Sequence, residues 1–174
     1  MHERPGSKPR VYVLLLKQDD PRKCTAAKLA RLGLARRLYR IGQIPRKALI
    51  LDPFAANILL PRDRILAEQY GLVAIDCSWE RAYTAFIKRF PGFGRRLPTL
   101  LASNPVNYAT PNKLSSLEAI AAGLYIMNFQ THASHLLNAF KWGGTFLTLN
   151  REPLESYSKV KTIEEMAEAQ ESFF

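Results

Sequence analysis

Hydrophobic residues along this chain fall first into short unbroken runs and later into helical spacings. Val11-Tyr12-Val13-Leu14-Leu15-Leu16 and Leu72-Val73-Ala74-Ile75 are continuous apolar stretches, and Lys47-Ala48-Leu49-Ile50-Leu51 is apolar after its first residue, as strands covered on both faces require. Asp19-Asp20-Pro21 breaks the first run, and Thr25 is placed to cap a helix through Leu38 with Leu29 and Leu32 on its buried face and Arg36/Arg37 on a basic one. Asp63 is the expected cap of a second helix, which Gly71 ends after Tyr70. Ser78 opens another, with Trp79, Ala82, Tyr83, Phe86, Ile87 and Phe90 at helical spacing. Pro91-Gly92-Phe93-Gly94 reads as an internal break, and Leu97 to Leu101 as a fourth main strand.

Beyond residue 110 the pattern turns helical. Ser115-Ser116-Leu117-Glu118 is a capping box that opens a nearly all-apolar helix through Met127. Residues 131–141 predict an amphipathic helix, Thr145 to Leu149 a short strand, and Thr162 with Glu165 the cap of an acidic terminal helix. The pattern is βαβα followed by helices. It predicts an α/β fold with a mostly parallel sheet in the N-terminal half and a mainly helical C-terminal half, divided as residues 1–93 and 94–174.

Composition narrows the function classes. With 47% hydrophobic and 23% charged residues, the 174-residue chain reads as globular and not disordered. No run approaches the roughly 18 consecutive apolar residues of a membrane span, and the first residues lack an apolar signal core, so a cytoplasmic protein with no membrane partner is expected. Cys24 and Cys77 are too few for a disulfide framework and have no zinc-ligand spacing, which predicts reduced thiols and no metal. The net charge of +10 is local: residues 1–50 hold 13 basic and 3 acidic residues, whereas residues 151–174 hold 3 and 6. A field concentrated in this way fits a polyanionic partner.

Candidate chemistry gathers where strands end. Asp76 follows the third strand, at the position where open parallel sheets bind ligands; a carboxylate there can take a proton or cap the next turn. Trp79 falls in the first turn of the helix that follows, where an indole face can pack against a ligand but more often belongs to the core. Cys77 has no histidine beside it in sequence and reads as a small buried residue.

The ordered set Asp20-Pro21-Arg22-Lys23-Cys24-Thr25, Leu51-Asp52-Pro53, Asp76-Cys77-Ser78-Trp79, Leu97-Pro98, Asn104-Pro105-Val106-Asn107-Tyr108 and Lys113-Leu114-Ser115 resembles the small-subunit ribosomal RNA aminocarboxypropyltransferases. The likeness runs on through Glu118-Ala119, Leu124-Tyr125-Ile126 and Phe140-Lys141-Trp142-Gly143, so it covers residues 10 to 160. It implies a SPOUT-like fold with a trefoil knot, a monomer, and S-adenosylmethionine as the donor of a 3-amino-3-carboxypropyl group. The acceptor would be a pyrimidine nitrogen of N1-methylpseudouridine in small-subunit rRNA, with methylthioadenosine leaving. A SPOUT-type methyltransferase and a non-catalytic RNA-binding assembly factor are the alternatives.

By the same resemblance, Thr25 and Ser115 hold the cofactor carboxylate. Leu51, Pro53, Trp79, Leu100, Leu114 and Ala119 sandwich the adenine, with backbone groups of Leu100 and Tyr108 at its polar edge. The Ile75 carbonyl takes the ribose, and Trp79 and Ala82 enclose the methyl group. Asp76 is the one candidate general base, although it could instead offset the sulfonium charge or brace the loop. Arg22, Lys23, Lys28, Arg31, Arg36, Arg37, Arg40, Arg95, Arg96 and Lys113 form the expected RNA footprint. Family members usually carry glycine at the positions of Ala26 and Ala109. Alanine is mild there where φ is negative and strained where φ is positive.

Overall fold

The computed structural model describes residues 7–16, 24–77, 81, 84, 86 and 90–174. Among these, β1 (Val11–Leu15), β2 (Arg36–Leu38), β3 (Leu49–Leu51), β4 (Leu72–Asp76) and β5 (Phe93–Arg95) form one parallel sheet in the order β2-β1-β4-β3-β5. The unbroken apolar runs exist because the sheet is covered twice. Val11, Val13, Leu15, Leu49, Leu51, Leu72 and Ala74 join the larger core, whereas Tyr12, Leu14, Ile50, Val73 and Ile75 join a smaller one with Leu38 and Ile44. Alternate residues of each strand therefore serve opposite faces.

Among the described residues, seven α-helices accompany the sheet: α1 (Thr25–Arg31), α2 (Arg64–Tyr70), α3 (Ser116–Ile126), α4 (Gln130–Leu137), α5 (Gly143–Leu149), α6 (Arg151–Tyr157) and α7 (Ile163–Phe173). The expected capping box at Ser115 and Glu118 is present, and α3 is buried on most sides as its composition requires. It packs on β3, β4, α1 and α4. Each fully buried leucine in such a core contributes roughly 1.5–3 kcal/mol. The expected cap of α7 is also present, the Glu165 N–H donating to Thr162 Oγ1 at 3.1 Å.

Four elements differ from the sequence reading. The first helix does not run to Leu38: α1 stops at Arg31, Gly33 takes φ 71°, and Arg36–Leu38 enters the sheet beside Tyr12–Leu14. Gly33 provides the left-handed turn that ends the helix. Leu32, expected on the buried face, is exposed. The residues read as a break, Phe93 to Arg95, are strand β5, whereas Leu97 to Leu101 is no strand. Pro98 has no N–H for a ladder, and the neighbouring donors go to side chains: Thr99 N–H to Gln170 Oε1 at 2.9 Å and Leu101 N–H to Asn150 Oδ1 at 2.8 Å. Asn150 Nδ2 returns to the Leu101 carbonyl at 2.9 Å, so one buried amide stands in for a neighbouring strand.

Thr145 to Leu149, expected as a strand, lies in α5 because the buried positions are Gly143, Phe146 and Asn150, a helical spacing. The helix expected over 131–141 spans Gln130–Leu137. Thr25 is not the cap of α1; the cap is Cys24, whose sulfur accepts the Ala27 N–H at 3.3 Å. Asp63 makes no cap bond to α2 and instead takes the Leu60 N–H at 3.0 Å. The helix expected from Ser78 falls largely outside the described residues.

Ala26 sits inside α1, but Ala109 has φ 60°. Its N–H donates to the Ala102 carbonyl at 2.7 Å, which holds the loop in that left-handed conformation. A side chain there costs about 1 kcal/mol or more. Ala109→Gly is expected to stabilise the protein by about 0.5–1 kcal/mol, after allowing for the greater entropy of glycine in the unfolded chain. The measurement is the urea midpoint at unchanged m-value, and a fall in midpoint would contradict the strain.

Candidate active site

The parallel strands deliver Leu15, Leu51 and Asp76 to one edge of the sheet, and two helices begin there. Asp76 is half-buried at the end of β4 and joins both helix starts. Its Oδ2 accepts the Cys24 thiol at 2.9 Å, on the residue that caps α1. Its Oδ1 accepts the Ser116 hydroxyl at 2.9 Å, in the first turn of α3. Thr25 completes the joint, its Oγ1 accepting the Leu117 N–H at 3.2 Å. That N–H is one of the donors a helix start leaves without an internal partner.

Burial, then the hydrogen bond to Asp76 and its negative charge, push the Cys24 thiol up to about 12, so it stays protonated and donates. Asp52, at the end of β3, is raised above the ordinary carboxylate range by burial, although the Phe54 N–H at 2.8 Å opposes the shift.

A second carboxylate organises the loop that borders this edge. Glu118 is fully buried and accepts five donors: Ser103 N–H at 2.6 Å, Ser103 Oγ at 2.9 Å, Asn104 N–H at 2.9 Å, Asn104 Nδ2 at 2.8 Å and Ser115 N–H at 2.8 Å. The cap of α3 and the loop bearing Tyr108 are thereby fixed to one group.

The structure thus brings Thr25, Asp76 and Ser115 together. Leu51, Ile75, Leu100 and Leu114 are buried, Ala119 is half-buried, and Pro53 and Tyr108 are exposed. Leu51, Leu100, Leu114 and Ala119 share the larger core, and Leu51 pairs with Ala74 beside Ile75. The Leu100 carbonyl takes the Asn112 N–H at 2.9 Å. Cys77 is half-buried just past β4. Trp79, Ala82, Arg22 and Lys23 lie outside the described residues. Sequence reasoning missed Cys24 and Ser116 as partners of Asp76. The one local signal was a cysteine immediately before a helical run, at a cap position.

The basic residues divide by what already engages them. Arg36, Arg37 and Arg40 do not extend α1; they line the edge strand β2 and the turn after it. Arg31, Arg36, Arg40 and Lys113 are exposed. Lys28 Nζ sits 4.4 Å from the Phe140 ring centroid, and the Arg37 guanidinium 4.7 Å from that of Tyr39. Arg95 donates to Asp63 at 3.2 Å, and Arg96 to the carbonyls of Ala55 and Ala56, so both brace the protein itself.

The family model for the ribosome biogenesis protein C-terminal region matches residues 49–174. A second, for a possible Fer4-like domain in RNase L inhibitor, matches residues 9–43. An iron–sulfur cluster of that kind takes four cysteine thiolates, and this segment holds only Cys24, a protonated thiol engaged with Ala27 and Asp76. The residues do not fit such a group. Among the described residues no three His, Cys, Asp or Glu side chains could hold a metal ion, and no helix is long and apolar enough to cross a membrane.

Curated relatives match nearly end to end. The 16S rRNA aminocarboxypropyltransferase of Thermoplasma acidophilum is 47% identical over 94% of this chain and 98% of its own length. That of Methanopyrus kandleri is 44% identical over 94% and 97%. The solved structure of the SAM-dependent rRNA:acp-transferase Tsr3 from Vulcanisaeta distributa superposes with a TM-score of 0.86 at 42% identity, covering 95% of both chains. Likeness of this extent in both sequence and backbone places the chain in the 16S rRNA aminocarboxypropyltransferase family.

Proposed function

We propose that this protein transfers the 3-amino-3-carboxypropyl group of S-adenosylmethionine to a ring nitrogen of N1-methylpseudouridine in small-subunit rRNA. The observation that carries the reading is the joint at the sheet edge, where Asp76 and Thr25 hold the starts of α1 and α3 side by side. When bound, the cofactor supplies a sulfonium whose aminocarboxypropyl carbon is open to attack, with methylthioadenosine as the leaving group.

The chain's own work is orientation. Thr25 Oγ1 accepts from Leu117, which leaves its hydroxyl proton for a carboxylate, and its N–H is a helix-start donor. Ser115, at the cap of the 11-residue α3, lies next to it and favours the same negative charge. Leu51, Pro53, Leu100, Leu114 and Ala119, with Trp79, enclose the adenine, and backbone groups of Leu100 and Tyr108 meet its polar edge. The Ile75 carbonyl binds the ribose. Trp79 and Ala82 cover the methyl group, which leaves the longer arm toward the RNA. In this reading Asp76 braces the floor, one oxygen holding the start of each helix, rather than removing a proton.

A SPOUT-like trefoil knot in the C-terminal half belongs to the same reading; there, residues 99–101 are held by α6, α7 and Asn150. Residues 1–93 would carry the RNA-facing surface and 94–174 would complete the cofactor site, in a monomer that works in the cytoplasm.

The test separates transfer chemistries by their by-product. Incubated with S-adenosylmethionine and small-subunit rRNA carrying N1-methylpseudouridine, the protein is expected to release methylthioadenosine in step with the modified nucleoside. Adenosylhomocysteine would show methyl transfer, and no nucleoside release would show a binding protein. Equal yield on RNA lacking the N1-methyl group would remove the methylated base from the proposal.

A further inference from the structure

We propose that a groove at the opposite end of the sheet is a second anion site that takes a phosphate of the RNA backbone. The proposal rests on the RNA substrate proposed above and locates a contact far from the cofactor edge. The groove, open to solvent, has a volume of about 340 Å³ where the parallel strands begin. Lys8 and Arg10 lead into β1, Arg36 opens β2, and His132 lines it from α4. Among the described residues that line it, three carry cations and none carries a carboxylate.

Its shape follows from the local fold. Gly33, at φ 71°, turns the chain from α1 back into the sheet, and Arg36 then pairs opposite Tyr12. The turn therefore brings Arg36 to the same floor as Lys8 and Arg10, which a continuous helix would not do. Arg10 Nη2 donates to the Gln69 carbonyl at 3.2 Å, which pins that guanidinium and leaves further N–H donors.

The charge pattern favours a polyanion over a small ion. Lys8, Arg10 and Arg36 are exposed and hydrated, so each binds a lone phosphate weakly, whereas RNA gains counterion release at every contact. β2 is the outermost strand, and Arg40, exposed in the turn that follows it, adds positive charge toward the cofactor edge, about 16 Å away at ~3.3 Å per residue of β1. One RNA segment can reach both.

The experiment is a salt series of binding to a small-subunit rRNA fragment, using the full chain. The double variant Lys8→Ala, Arg36→Ala is expected to lose about tenfold in affinity at low salt, with a log–log salt slope shallower by about 1–2. Affinity for S-adenosylmethionine should not change. Arg151→Ala, which removes an exposed cation elsewhere, should keep the wild-type slope. Lys8→Glu, outside every strand, provides a second variant with no expected folding cost.

An unchanged slope in both groove variants, or an equal change in Arg151→Ala, would overturn the proposal. So would tight binding of inorganic phosphate that the double variant loses while its RNA binding stays intact, since the groove would then serve a free anion. Methylthioadenosine release is read separately. Its absence with a reduced slope would sink the transfer reaction and spare the groove; its presence with an unchanged slope would do the reverse.

Discussion

Asp76→Ala is expected to weaken S-adenosylmethionine binding and turnover together, each by about ten- to a hundredfold. The side chain accepts one hydrogen bond from the cap of α1 and one from the first turn of α3, and hydrogen bonds to a charged group are worth about 1.5–3 kcal/mol. Without it, the Cys24 thiol and the Ser116 hydroxyl lose their acceptor, and the two helix starts lose their common anchor. Thr25 is adjacent to Cys24 and Ser115 to Ser116, so the groups assigned to the cofactor carboxylate shift with them.

A general base would behave otherwise, with kcat collapsing while cofactor affinity stayed near wild type. Calorimetric titration of the cofactor beside methylthioadenosine release separates the two. Asp76→Asn retains one acceptor oxygen of two and should fall between wild type and alanine. Cys24→Ser keeps both an acceptor for Ala27 and a donor for Asp76, and should be tolerated better than Cys24→Ala.

What the sequence revealed depended on burial. β1, β3 and β4 lie inside a sheet covered on both faces, and their runs of apolar residues announce it. The edge strands have no such signature. β2 is Arg36-Arg37-Leu38, with one buried residue, and β5 is Phe93-Gly94-Arg95, with none, so hydrophobic periodicity passes over both. For β2 the useful sign was Gly33, a glycine where a helix had to end. Leu97 to Leu101 misled in the other direction: Leu100 is buried, but its stretch of backbone is satisfied by Asn150, Tyr157 and Gln170 from far along the chain. Side-chain partners at that separation leave no local pattern.

The site shows the same division. Asp76 and Ser115 were legible because a strand end and a helix cap have local signatures, Thr25 entered through the family resemblance, and the three lie together. The bond between Cys24 and Asp76 was not, since it joins residues 52 positions apart that only the β1–β4 pairing brings together. Counting positive charges does not separate those the fold already engages from those it leaves at the surface. Arg95 is spent on Asp63 and Arg96 on two carbonyls, whereas Lys8 and Arg10, which no motif singled out, line an open groove.

Glu118→Ala should be strongly destabilising, by about 3–5 kcal/mol, because it removes the shared acceptor of several buried donors. Taking a carboxylate out of water costs several kcal/mol, and here five donors offset that cost. Deleting the acceptor leaves three backbone N–H groups and two side-chain donors without it, at about 1–3 kcal/mol for each that stays buried and finds no substitute. Against a total of roughly 5–15 kcal/mol for a domain, the loss should appear as a large fall in urea midpoint at nearly constant m-value. Glu118→Gln is the sharper test. Oε1 receives three of the donors and Oε2 two, so an amide NH₂ at either position faces donors instead of acceptors. The glutamine variant should therefore be nearly as unstable as alanine despite its matching shape. If it instead unfolded within about 0.5 kcal/mol of wild type, the loop bearing Tyr108 and Lys113 would owe its conformation to packing and not to the carboxylate.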